Sequence, residues 1–357
     1  MFYPGETNDA TGDGTNGGND MKLGMMWGYW GQLPPPNIIE VTQEAERCGF
    51  DSVWSAEAWG SDAFSPLAWI AGHTSTIKLG TSVVQLAART PTATAMAAMT
   101  IDHISNGRFV LGLGVSGPQV VEGWYGRPSD KPLARTREYV EIVRRVIARE
   151  EPLDFQGEFH QHPYHGPGST GLGKPLKSIL HPLRRHIPIY LGAEGPKNVA
   201  QTAEIADGWL PLYYSPWHQD VYAGALAGAK DDFDIIAGVQ LNIADTVEEG
   251  LLPVKMMLAF YIGGMGAKGQ NYHTKLVERF GYGEEALKIQ ELFFEGRRDE
   301  AIALVPDEFA DAISLVGPKE RIRERLQAWE DSPVSTLLVY SPGSVEKVRE
   351  ISDLVLG

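Results

Sequence analysis

The amino-acid sequence predicts an α/β fold, a parallel (β/α)8 TIM barrel with insertions. Eight short apolar runs alternate with helical patterns from Lys22 onward, the arrangement of repeated βα units. Most of these runs lack the in-out alternation of a half-exposed strand, as expected when both faces are buried. Two connections are too long for simple links and mark insertions on the frame.

The elements follow in order. A first strand at 22–28 (KLGMMWG) leads to a helix at 36–48, and a second at 52–56 (SVWSA) to a helix at 65–75. The third strand, 78–86, precedes a helix at 92–105. The fourth, 108–115, precedes one at 134–149. The fifth, 187–192, stops at a Gly-Ala-Glu-Gly-Pro turn, and a helix opens at 196–206 with Pro196 in its first position, which tolerates a missing N–H. Strands at 208–212, 234–243 and 335–341 lead to helices at 218–229, 247–260 and 345–355. Residues 150–186, rich in Gly, Pro and His, and residues 261–334, with further helical segments, are the two insertions. The first lies between a helix and the next strand. It therefore starts at the far end of the barrel and must fold back over the wall to reach the C-terminal mouth, where barrel sites are built. Residues 1–20 are rich in Gly, Asn, Thr and Asp and are expected to form a disordered leader, leaving 21–357 as one barrel domain.

Composition narrows the function classes. The 357 residues carry 31 Lys plus Arg against 46 Asp plus Glu, a net charge of -15. Nucleic acid would meet repulsion over most of this surface. The only cysteine, Cys48, excludes an intrachain disulfide and reads as a small buried side chain. No run approaches the roughly 18 apolar residues of a membrane helix. The leader lacks the basic start and apolar core of a secretory signal, so a cytoplasmic location is expected.

Several motifs bear on chemistry. Beyond Pro196, the amides of Lys197, Asn198 and Val199 are expected to point free from the helix start. With Gly192 and Gly195 and the Lys197 side chain they form a candidate phosphate cradle, the alternative being an ordinary strand-to-helix turn. Gly112 to Gly117 (GLGVSG) matches G-x-G-x-x-G, but a loop with Pro118 and Trp124 follows where a dinucleotide fold needs a helix. It reads better as a Gly-rich lip against a flat ligand. GSTGLGK at 168–174 nearly spells a P-loop, yet Pro175 stands where Ser or Thr should bind magnesium and no apolar strand precedes it. His160, His162 and His165 lack the spacing of a zinc set and read as loop residues, so no metal is expected. Glu57, at the end of the second strand among Trp54 and Trp59, is the candidate catalytic carboxylate; the bland alternative is a capping or salt-bridging Glu. Arg89 either binds an anion at the mouth or makes a structural ion pair. Aromatic residues at strand ends (Trp27, Tyr29, Trp30, Trp124, Trp209, Tyr213, Tyr214) favour a flat, partly apolar ligand.

Together, KLGMMWGYWG, GFDSVWSAEAWGSDAFSPLAWIA, IKLGTSVVQLAARTP, GRFVLGLGVSGPQVVEGWYG, PLARTREYVEIVRRV, GLGKPLK and IPIYLGAEGPKNVAQTAEIADGW resemble the luciferase-like flavin superfamily. Within it they resemble the coenzyme F420-dependent oxidoreductases of actinobacteria. The likeness runs over most of 21–212 and is looser beyond. It implies a deazaflavin ring against the end of the third strand, with a non-prolyl cis peptide at Ser82–Val83. It implies Ser116 and Gly117 at the ring edge or ribityl chain. The coenzyme phosphate would rest on Gly192, Ala193, Gly195 and the residues Pro196, Lys197 and Asn198. The implied activity is hydride transfer between F420 and a small organic substrate. The alternatives are an FMN-dependent monooxygenase on the same barrel and a non-catalytic cofactor carrier. A homodimer is in keeping with the family. One departure stands out. Many relatives place an acid–histidine pair at the second strand's end, and here Glu57 is followed by Ala58.

Overall fold

The non-alternating apolar runs form the staves of a closed, wholly parallel sheet. A computed structural model describes residues 21–266 and 271–357. The expected leader at 1–20 and residues 267–270 of the second insertion lie outside the described residues. In chain order the strands are β1 (Lys22–Gly28), β2 (Ser52–Ser55), β3 (Lys78–Thr81), β4 (Val84–Gln85), β5 (Phe109–Gly114), β6 (Phe155–Gln156), β7 (Gln161–His162), β8 (Ile189–Gly192), β9 (Gly208–Leu210), β10 (Asp234–Ile243), β11 (Ser314–Gly317) and β12 (Thr336–Tyr340). The ring runs β1-β2-β3-β5-β8-β9-β10-β12 and closes where Lys22 pairs with Thr336. Helices follow all eight staves as expected, among them Ile38–Arg47, Phe64–Ala71, Pro91–Ile104, Pro132–Ala148, Pro196–Ile205 and Val247–Gly264.

Two differences from the expected elements have local causes. The third strand, expected as one run, is broken into β3 and β4 by a cis peptide at Ser82–Val83. β3 pairs with Phe109–Val110 and β4 further along with Leu113–Gly114, so one stave is carried by two pieces. β11 was not expected as a strand: its four residues, SLVG, sit in a helical stretch and give little periodicity to read. It pairs with the upper half of β10, at Gln240–Ile243, while β12 takes Ile236–Val239.

The barrel interior is packed. Trp54, Val110, Tyr190, Leu210, Ile236 and Leu338 form one buried cluster inside the staves, each large side chain contributing about 1.5–3 kcal/mol by leaving water. The Trp54 indole lies so close to Gly80 that a Cβ there would come within 2.2 Å of the ring. A Cβ on Gly112 would meet the Thr81 carbonyl oxygen at 1.7 Å. Tyr190 donates its hydroxyl to Asp234, which closes the lower end of this core.

The first insertion turns back along the helix Pro132–Ala148. The Glu138 carboxylate accepts the amides of Glu158, Phe159 and His160 at 2.6–3.0 Å and faces His160 Nδ1 at 3.2 Å. The second adds the helices Tyr272–Arg279, Gly283–Phe294, Arg298–Leu304 and Asp307–Ala312 before β11. No helix among the described residues is long and apolar enough to cross a membrane.

Candidate active site at the barrel mouth

The C-terminal ends of the staves bring most of the singled-out residues together. Ser82 and Val83 sit between β3 and β4, where Ser82 N–H donates to the Ser55 carbonyl at 2.6 Å and Glu57 N–H to the Val83 carbonyl at 3.3 Å. The end of β2 thus grips both sides of the cis peptide. Val83 spreads over two glycines: a Cβ on Gly114 would fall 2.5 Å from its Cγ2, and one on Gly192 would fall 3.2 Å from its Cγ1. Side chains at either position would push Val83 away, so β4, β5 and β8 share one low shelf. Beside it Ser116 takes a left-handed backbone, φ 62°, uncommon for a residue with a side chain. Gly117 caps a six-residue helix, Pro118–Gly123, where the sequence suggests only a loop. Gln119 folds over Gly117 and donates to the Met265 carbonyl at 2.9 Å, tying this lip to the second insertion.

Glu57 lies directly behind the shelf. Its carboxylate, 3% exposed, pairs with Arg89, whose Nη1 lies 2.7 and 2.8 Å from the two oxygens. Oε1 also accepts Gln85 N–H at 2.9 Å, and Oε2 accepts Ala63 N–H at 3.2 Å. A carboxylate has about four acceptor sites, and here all four are taken. The geometry therefore fits the salt-bridging alternative. Arg89 likewise turns to Glu57 and to Asp62, 3.8 Å from its Nη2. At Ala58, where the resemblance implies a histidine, the backbone carbonyl accepts the Tyr125 hydroxyl at 3.0 Å. Burial first, and the nearby Glu57 charge second, hold that phenol above its usual range.

The loop after β8 corrects one expectation. Asn198 and Val199 do not offer free amides: both donate to the Gly195 carbonyl at 2.9 Å, forming the first turn of the helix. Only Lys197 N–H, of the three, lacks an acceptor among the described residues. The loop itself is held from behind. Trp209 Nε1 donates to the Ala193 carbonyl at 2.8 Å, and Arg279 Nη2 donates to the Glu194 carbonyl. The Glu194 carboxylate faces His273 Nδ1 at 3.0 Å. Lys197 and Pro196 are exposed, while Gly192, Gly195 and Asn198 are half-buried.

Sequence reasoning missed His273, Arg279, Tyr261 and Tyr340, which the second insertion and β12 bring to the mouth. No spacing signal links Glu194 to a partner 79 residues away. Four polar atoms around the mouth, Trp30 Nε1, Gln85 Oε1, Tyr213 Oη and Arg279 Nε, are buried without a hydrogen-bond partner among the described residues. Such atoms are rare in folded proteins and call for water or a ligand. A separate cavity of about 560 Å³ lies at the opposite end, lined by Lys22, Asp234 and Ser335 at the strand starts. Of the singled-out residues it holds only Tyr214, which therefore stands away from the mouth, and barrel chemistry is built at the other face.

Comparisons with known proteins bear on the family and the fold. The family model for luciferase-like monooxygenases matches residues 15–336. A Mycobacterium tuberculosis protein named as a coenzyme F420-dependent oxidoreductase is 52% identical over 94% of this chain and 99% of its own length. A 5,10-methylenetetrahydromethanopterin reductase of Archaeoglobus fulgidus is 30% identical over 86% of this chain and 90% of its own. The solved F420-dependent tetrahydromethanopterin reductase of Methanopyrus kandleri superposes with a TM-score of 0.75 at 24% identity, covering 94% of this chain and 98% of that one, which speaks to the fold. On the family match and the two relatives, the chain belongs to the luciferase-like monooxygenase family.

Proposed function

We propose that this protein is a coenzyme F420-dependent oxidoreductase acting on a small organic substrate in the barrel mouth. One observation carries the choice of coenzyme: the relative that is 52% identical over nearly the whole chain is named for F420. The residues present fit such a group. Gly195 has an ordinary φ of -73° and open space where a Cβ would stand. Neither backbone nor packing requires glycine there, and close approach of a ligand does.

Ser82 and Val83 would support the ring on the shelf, with Ser116 and Gly117 at its edge. Gly192, Ala193, Gly195, Pro196, Lys197 and Asn198 would hold the phosphate, the Lys197 amide and ammonium supplying donors and charge. When bound, the deazaflavin supplies hydride transfer at its C5. The chain's own residues orient and shelter the reacting groups. Glu57 keeps β4 and the cis peptide in place through Gln85 and Arg89 rather than moving a proton.

Fluorescence titration of the purified protein with F420 and, separately, FMN tests the reading. Micromolar or tighter binding of F420 alone is expected. Preference for FMN, with substrate-coupled oxygen uptake, would instead support a monooxygenase; tight F420 binding with no hydride exchange across a broad substrate panel would support a carrier.

A further inference from the structure

The shelf occupies one side of the mouth. In the ring of eight staves β12 stands four places from β5, so its end faces the shelf across the opening. Thr336–Val339 of β12 are buried, and Tyr340, the last residue, is 41% exposed. Surrounding protein desolvates the phenol, and Tyr29, itself 40% exposed past the end of β1, lies within electrostatic reach. Tyr261, on the helix that follows β10, completes the group. It is within reach of both phenols and of Glu194, and its ring stands edge-on to His273 at 5.1 Å and to Tyr213 at 6.4 Å. Among the described residues no hydrogen bond engages the hydroxyls of Tyr29, Tyr261 or Tyr340. The two carboxylates nearest the mouth are committed, Glu57 to Arg89 and Glu194 to His273.

We propose that Tyr340, flanked by Tyr29 and Tyr261, is the proton donor to the substrate oxygen, and that the substrate is an α,β-unsaturated carbonyl compound. The proposal rests on the deazaflavin reading above. It follows from the opposed placement of shelf and phenols. Hydride would arrive from the shelf side and the proton from the far wall. A conjugated acceptor suits this, because its electrophilic carbon and its oxygen are separated by the length of the conjugated system. In the reductive direction a C–H bond forms at the β-carbon with the hydride pair and the C=C π bond breaks. The displaced pair moves through the conjugated system to oxygen, which takes the Tyr340 proton. The resulting enol returns to the ketone through water, and the phenolate recovers its proton from water. The substrate gains two electrons and reduced F420 loses two. Burial and the Tyr29 neighbour raise the Tyr340 phenol, so it carries its proton through the neutral range as an unshifted phenol does.

The test compares wild type with Tyr340→Phe and Tyr261→Phe. F420 affinity by fluorescence is expected to change by less than twofold. Reduction of 2-cyclohexen-1-one by reduced F420 is expected to fall about 100-fold or more in kcat for Tyr340→Phe, within the range for a lost general acid, and less for Tyr261→Phe. Absorbance titration of the complex with oxidised F420 uses 4-nitrophenol, whose phenolate mimics the enolate. Its affinity is expected to fall about tenfold in Tyr340→Phe, the scale of one hydrogen bond to a charged oxygen. Tyr340→Phe retaining both kcat and 4-nitrophenol affinity within twofold would overturn the assignment. So would a wild type that binds F420 yet neither reduces the enone nor binds 4-nitrophenol, and faster reduction of acetone than of the enone would overturn the substrate class. Failure of the wild type to bind F420 is a separate result, which removes the underlying reading itself.

Discussion

Replacing Glu57 by Gln separates a holding role from a reacting one. The carboxylate takes two backbone amides and both contacts from Arg89 Nη1 while 3% exposed. A carboxamide has the same shape but turns one oxygen into a donor. Whichever way it sits, the amide of Gln85 or of Ala63 then faces an NH2 group and loses its acceptor. An unpaired buried N–H costs about 1–3 kcal/mol. Arg89 also loses its counter-charge, but at 24% exposure water relieves part of that, so the total stays below the sum for a fully buried pair and comes to about 2–4 kcal/mol. With an unfolding entropy near 2.1 cal/mol/K per residue, a chain this long should lose about 3–5 °C in Tm. F420 should bind more weakly, because the segment after the cis peptide hangs on this carboxylate. Thermal melts and fluorescence titration of the same preparation read both effects. A variant with unchanged Tm and F420 affinity but turnover reduced about 100-fold would instead assign Glu57 to the reacting atoms.

Three further outcomes follow from other sites. Gly195→Val should leave stability within about 0.5 kcal/mol, since the position has an ordinary φ and open space, yet weaken F420 binding at least about tenfold by filling the cradle; unchanged affinity would remove Gly195 from the phosphate site. Gly112→Ala should destabilise by about 3 kcal/mol or prevent folding, because the added carbon would meet a backbone carbonyl that cannot rotate aside; urea midpoints near wild type would contradict this. Burial raises the Glu46 carboxyl, but the amides of Thr76, Ile77 and Ser75 and the Thr76 hydroxyl outweigh it, and the net value lies below 4.5. A lowered folded pKa contributes stability that is present above the unfolded value and is lost as pH falls through the folded one. Wild type should therefore lose stability as pH drops below about 4.5, and Glu46→Gln should show a shallower decline there in thermal melts.

The staves and their helices were legible because burial on both faces leaves an unmistakable apolar run, and a helix shows its own period. The site was legible only where chemistry is local. The turn after β8 announces itself through Gly195 and Pro196, but the destination of each amide depends on how tightly the first helical turn closes, and the sequence cannot show that the Gly195 carbonyl takes two of them. Glu57 and Arg89 were both singled out, 32 residues apart, yet nothing in their spacing pairs them, because the break at Ser82–Val83 sets where Arg89 lands. The phenol wall was least legible. Tyr340 closes an otherwise ordinary apolar strand, Tyr261 lies on a helix, and His273 sits deep in an insertion. Only closure of the ring brings them to one opening.

The double tie on Glu194 bears on how this barrel can diversify. Its carbonyl is held by Arg279 and its carboxylate by His273, both from the insertion that also carries part of the proposed substrate wall. A loop exchanged to change selectivity would remove the clamp on the proposed phosphate turn at the same time. Engineers transplanting that region from a relative should carry an equivalent basic pair with it, or expect selectivity and coenzyme retention to shift together.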